Sequence, residues 1–276
     1  MTKTGRTVLV PAGLYRAIKY TIYVLLAINI GMFLYTEWQA ARHTFQDGVS
    51  PGDVIEAFTA TIDTAAWVIL LLLFELETFV IPDTRLRGNL RWALHGVRAF
   101  CYLFIVYAFY GYVLECLGLY RVLPLAAADP CALADTGAAL LTGLNEFVAL
   151  DAANCAGLAA PFWQLAPVPD ALISTDAVLG AARKLAWTDA INAGNWLIIV
   201  LLLEIDVRLQ LAGHLGGRLL RLSELGKALL YSILLACALY WGYAGTFLDF
   251  WDAFLWLAAF ALIEMNVLEW QAETVA

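Results

Sequence analysis

Trp67 is followed eight residues later by Glu75 and then by Glu77. Trp196 is followed at the same distance by Glu204 and Asp206, and Trp256 by Glu264 and Asn266. The shared frame is W-x7-E-x-[E/D/N], set in otherwise apolar sequence. Basic residues recur with it. Lys19 precedes Tyr23 by four residues, Arg98 precedes Tyr102 by four, and Lys227 precedes Tyr231 by four. The gap from Glu75 to Arg98 is 23 residues, as is the gap from Glu204 to Lys227. Leu86, Gly88 and Leu90 match Leu215, Gly217 and Leu219 in the same register.

A carboxylate in an apolar segment has three uses. It neutralises a neighbouring base, carries a cation or proton, or docks a partner's basic segment. In a bilayer it costs roughly 2.5–3.5 kcal/mol on insertion scales, and a recurrent cost of this kind marks a candidate site. Structural pairing is the favoured reading, with Lys19, Arg98 and Lys227 as the bases. Ion or proton handling comes second and docking third. Arg208 is also a candidate partner of Glu204, at the favourable i+4 spacing. Glu75 and Glu77 project about 200° apart on a helix, so both cannot face one axis. The neutral Asn266 at the second position makes Glu75, Glu204 and Glu264 the stricter set. Glu75, Glu77, Glu204, Asp206 and Glu264 together also suit a hard cation, but no metal is assigned to them.

These residues must be positioned by membrane helices. Of 276 residues 62% are hydrophobic and only 14% charged, with mean hydropathy +0.76. A soluble domain needs about a quarter of its residues charged. Six stretches approach the roughly 20 apolar residues of a spanning helix: 18–35, 65–81, 99–117, 196–211, 228–247 and 250–268. Their continuous apolarity excludes a β-barrel. With the N-terminus inside, the outer loops hold four of the 16 basic residues and fifteen of the 24 acids. The outer side then carries −11 and the inner side +3, the positive-inside arrangement. The expected fold is an all-α polytopic membrane protein of three tandem antiparallel hairpins in pseudo-threefold order. They cover 1–83, 84–211 and 212–276, with both termini cytoplasmic in a bacterial-type inner membrane.

The second hairpin carries an outer insertion, 118–189. Its Ala-rich composition reads as two helices, 135–151 and 170–187, separated by Pro161, Pro167 and Pro169. Ser50 and Pro51 read as a helix start in the first outer loop. Cys131 and Cys155, both in the insertion, are the natural disulfide if that side is oxidising. Cys101 and Cys237 read as packing residues.

No HExxH, CxxC, Walker A, GxGxxG or GxSxG pattern occurs, and His43, His95 and His214 lie outside the six stretches. No enzyme activity and no cofactor is expected. Net charge −8 argues against nucleic acid. The expected partners are the lipid bilayer and either other membrane subunits or further copies of the chain. A non-catalytic accessory or scaffolding subunit is the leading expectation. The alternative is a small ion or proton channel or permease using Glu75, Glu204 and Glu264.

Overall fold

The computed structural model describes residues 12–45, 49–51, 53–81, 87–125, 129–134, 136–165, 172–211 and 217–274. Side chains at 12, 78, 79, 207, 210, 211 and 264–274 are outside that description, so Glu264 and Asn266 lie beyond it. So do the linkers 82–86 and 212–216, with Leu86, His214 and Leu215.

The helices are α1 (Ala12–Thr44), α2 (Val54–Ala57), α3 (Thr59–Glu75), α4 (Asn89–Gly118), α5 (Asp176–Leu211), α6 (Gly217–Ala244) and α7 (Phe247–Thr274). A π-helical segment, Leu76–Val80, prolongs α3. Four stretches are long and apolar enough to cross a membrane: Gly13–Thr44, Asn89–Gly118, Asp176–Asp206 and Gly217–Ala244. They carry exposed apolar side chains such as Val24, Leu103, Leu201 and Leu229. Helices apolar on more than one face belong in a large core or in lipid.

Each long helix packs on its neighbour in chain order, and α7 closes on α1. The six therefore form a ring. Leu26, Val68, Ile199, Leu234, Leu255 and Trp256 fill its middle. Gly111 brings α4 against α3, because a Cβ there would lie 2.6 Å from Thr59 Oγ1.

The chain is not all-α. One end of the ring carries a five-stranded sheet in the order β1-β4-β5-β2-β3. Its strands are β1 (Val122–Pro124), β2 (Ala139–Gly143), β3 (Glu146–Ala149), β4 (Phe162–Leu165) and β5 (Leu172–Thr175). β2 and β5 are parallel; the other neighbours are antiparallel. The helix expected over 135–151 is thus the β2–β3 hairpin. Successive residues face opposite ways, as strands require. Leu141 and Leu172 pack with Cys116 and Ala182 beneath the sheet, while Leu140 and Ile173 pack with Cys155 above it. The turn places Asn145 at φ 59°, a left-handed conformation that Asn tolerates and that ends a helical reading. Of the helix expected over 170–187, residues 176–187 form the first turns of the 36-residue α5, while Leu172–Thr175 form β5. In the first loop the helix begins later than Pro51: Ser50 Oγ donates to Asp53 at 2.6 Å, and α2 starts at Val54.

Candidate functional site

Four ion pairs stand at the end of the ring away from the sheet. Lys19 Nζ donates to Glu75 Oε1 at 2.7 Å, with side chains only 6% and 9% exposed. Tyr20 and Tyr23 add hydroxyl donors to the same carboxylate at 3.0 and 3.4 Å. Arg98 Nη2 donates to Glu77 Oε2 at 2.6 Å. Lys227 Nζ donates to Asp206 Oδ2 at 3.0 Å, and Ser223 donates to that same oxygen. Glu204 departs from the stricter set expected of the sequence. Its side chain is 57% exposed and accepts from Arg208 of its own helix at 2.8 Å.

Helix geometry explains the departure. At about 100° per residue, positions eight and ten after a tryptophan lie about 80° to either side of it. With each tryptophan turned inward, the first acid leans toward the preceding helix and the second toward the following one. On α3 these are Glu75 toward α1 and Glu77 toward α4. On α5 they are Glu204, on the side of Tyr102, and Asp206 toward α6. Arg98 therefore stands between two acids, Glu77 and Glu204. Arg98 goes to Glu77 and Lys227 to Asp206, each 21 residues apart. Glu204 is left with Arg208. At the matching position of α7 the sequence has the neutral Asn266, and Lys19 bonds Glu75 instead. Lys19, Arg98 and Lys227 are thus each brought to an acid, while Glu264 lies outside the described side chains.

The larger feature is at the other end. Between the helix ring and the sheet lies a chamber of about 840 Å³. Trp67, Trp196 and Trp256 line it, and Trp67 touches both of the others, with ring centroids 6.0 and 6.4 Å away. Below them is the packed middle of the ring. Leu141, Leu165 and Leu172 contribute from the sheet.

Among the described residues nine acids line this chamber against one base, Arg121. Their donors are neutral. Asn29 Nδ2 donates to Asp252 Oδ1 at 2.7 Å, Trp241 Nε1 to Asp189 Oδ1 at 2.9 Å, and Asn145 Nδ2 to Glu115 Oε1 at 2.6 Å. Glu37 accepts from the backbone N–H groups of Ala60 and Thr61 at 2.6 and 3.1 Å. It thereby satisfies free donors in the first turn of α3, where a negative charge is also favoured by the helix dipole. Asp249 accepts from the Thr246 hydroxyl at 2.7 Å. Asp63 lies beside Trp67 and Tyr112. At the rim, on α2, burial pushes the Glu56 carboxyl up, and Asp53 pushes it further. Among the described residues the ion pairs are those named above, and none includes a chamber acid.

None of these acids was singled out from sequence. A signal existed: the tryptophan frame extends backward as [D/N]-x3-W, with Asp63, Asn192 and Asp252 each four residues before a tryptophan. Asp189 and Asp249 stand seven before. The donors from the insertion, by contrast, depend on a fold the composition did not disclose.

In the insertion Cys131 and Cys155 are disulfide-bonded, with Cα atoms 5.0 Å apart. Cys101, Cys116 and Cys237 are free and buried. Comparison of the chain with protein-family models, with curated proteins and with solved structures finds no match.

Proposed function

We propose that this chain is a cation-accepting integral membrane protein, a small permease or channel whose chamber opens on the outer side. In this reading α3 and α7 cross the membrane with the four longer stretches. The three hairpins are repeats about an axis along the membrane normal. Both termini are cytoplasmic in a bacterial-type inner membrane, and the sheet caps the outer side. One observation carries the reading: nine acids line one chamber and, among the described residues, none is paired with a lysine or arginine. A low-dielectric pocket lined by one sign of charge concentrates the opposite charge. The acids assigned to ion handling are then those of the chamber. The buried pair Lys19–Glu75 and the part-buried pair Lys227–Asp206 instead hold the helices together at the inner end.

The scaffolding reading keeps a specific support. Below the chamber the ring is filled by packed apolar side chains. A channel must open this layer, whereas a subunit that only anchors a membrane assembly need not. Proteoliposomes holding the purified chain separate the two. Cation flux that falls at least tenfold in Asp63→Asn/Asp252→Asn supports transport. Absence of flux for inorganic and organic cations, together with a stoichiometric membrane partner in native purification, selects the scaffold.

A further inference from the structure

We infer that the chamber is a binding site for an organic cation, a substituted ammonium with an apolar body, and not for a metal ion. The inference rests on the cation-accepting reading and specifies its ligand. Three independent observations bear on it, beginning with size. A volume of about 840 Å³ falls within the roughly 300–1,000 Å³ typical of small-molecule pockets, and far exceeds what one inorganic ion fills.

The second is the spread of the acids. Calcium takes six to eight converging oxygens at about 2.3–2.6 Å. Among the described residues no three acids, cysteines or histidines are grouped to hold a metal. Asp252 accepts instead from the Asn29 amide, and Asp189, Glu115 and Glu37 accept from other neutral donors.

The third is the tryptophan floor. A cation over an indole face gains about 0.5–1 kcal/mol at exposed sites, and about 2 or more when desolvated. Trp67, Trp196 and Trp256 converge there. Asp63 and Asp252 stand four residues before Trp67 and Trp256, about 6 Å along their helices. An ammonium resting on the indoles therefore lies close to both carboxylates. A small hydrated ion gains little from the indoles, whereas a substituted ammonium uses ring face and charge together.

The test uses the full chain in nanodiscs, with benzyltrimethylammonium as probe and its neutral isostere neopentylbenzene as control. Tryptophan fluorescence and calorimetry at fixed ionic strength report binding. The expected result is saturable binding of the cation, no saturable site for the isostere, and no displacement by Mg²⁺ or Ca²⁺. Asp63→Asn/Asp252→Asn should weaken the affinity at least tenfold while near-UV circular dichroism is retained. Equal binding of the isostere, displacement by the divalent ions, or unchanged affinity in a folded double variant overturns the inference. The wild-type competition decides the matter even if the variant fails to fold. Binding without any flux leaves the ligand assignment standing and removes transport. Flux of inorganic cations without binding of the probe does the reverse.

Discussion

Lys19 and Glu75 show what a buried charge demands. Both are nearly inaccessible, and three donors converge on the carboxylate. Removing one partner of such a pair leaves an uncompensated buried charge and costs about 3–5 kcal/mol. Glu75→Gln should therefore lower the yield of folded protein and its thermal midpoint. Replacing both members with apolar residues of similar size, Lys19→Met with Glu75→Leu, should recover most of that loss. Glu204→Gln is the contrast. Its pair with Arg208 is exposed and lies within one helix, so the expected change is about 0.3–0.5 kcal/mol. Equal losses for Glu75→Gln and Glu204→Gln in a detergent melting series would refute the distinction. The two acids occupy the same place in the sequence frame. What separates them is which base each can reach, and that follows from how the neighbouring helices share Arg98.

The capping sheet makes the same point for elements. Asn145 sits at the tip of the β2–β3 hairpin with positive φ, and its amide reaches Glu115 at the end of α4. Asn145→Gly keeps the backbone conformation and loses the anchor. Asn145→Val loses both, and adds roughly 1–2 kcal/mol of left-handed strain. Valine should thus destabilise the cap more than glycine by about that amount, measured as hydrogen-exchange protection of β2 and β3. On the far face of the sheet, the disulfide joins residues 24 apart. Closing a loop of this length is worth about 3 kcal/mol in the chain-entropy model, so Cys131→Ala/Cys155→Ala should lower the cap's unfolding midpoint and leave the helix ring folded. The long apolar helices, their order and the cysteine pair were legible because each rests on local composition or on proximity along the chain. The sheet was not. Its strands are three to five residues long, and their alternation is hidden by alanine, which fits a helix equally well. The parallel pairing of β2 with β5 joins segments on either side of β3 and β4 and leaves no periodic trace.

At the scale of the whole molecule, charge and packing point the same way along one axis. Among the described residues the ion pairs gather at one end of the ring, and carboxylates held by neutral donors lie at the other. In the six-span reading, the basic end takes the cytoplasmic side, as the charge bias of membrane proteins requires. The number of crossings turns on α3, which has 17 α-helical residues before its π-helical continuation. The 22 residues from Thr59 to Val80 nevertheless reach about 30 Å, the thickness of the hydrocarbon core, if the π-helical segment rises nearly as an α-helix does. Six crossings and four make opposite forecasts for two sites that flank α3. If α3 crosses, Ser50 and Arg87 lie on opposite sides of the membrane. If only the four longer stretches cross, the two lie on the same side. Single cysteines at Ser50, Arg87 and Asn154, probed with a membrane-impermeant maleimide, separate the cases. The native free thiols Cys101, Cys116 and Cys237 are buried, so their background labelling should be low. The six-span arrangement requires labelling of Ser50→Cys and Asn154→Cys from outside intact cells, and of Arg87→Cys only after the cells are opened. Labelling of Ser50→Cys and Arg87→Cys together from either side would place α3 within one leaflet. It would break the outward chamber, whose walls include Thr59, Asp63 and Trp67 from that helix.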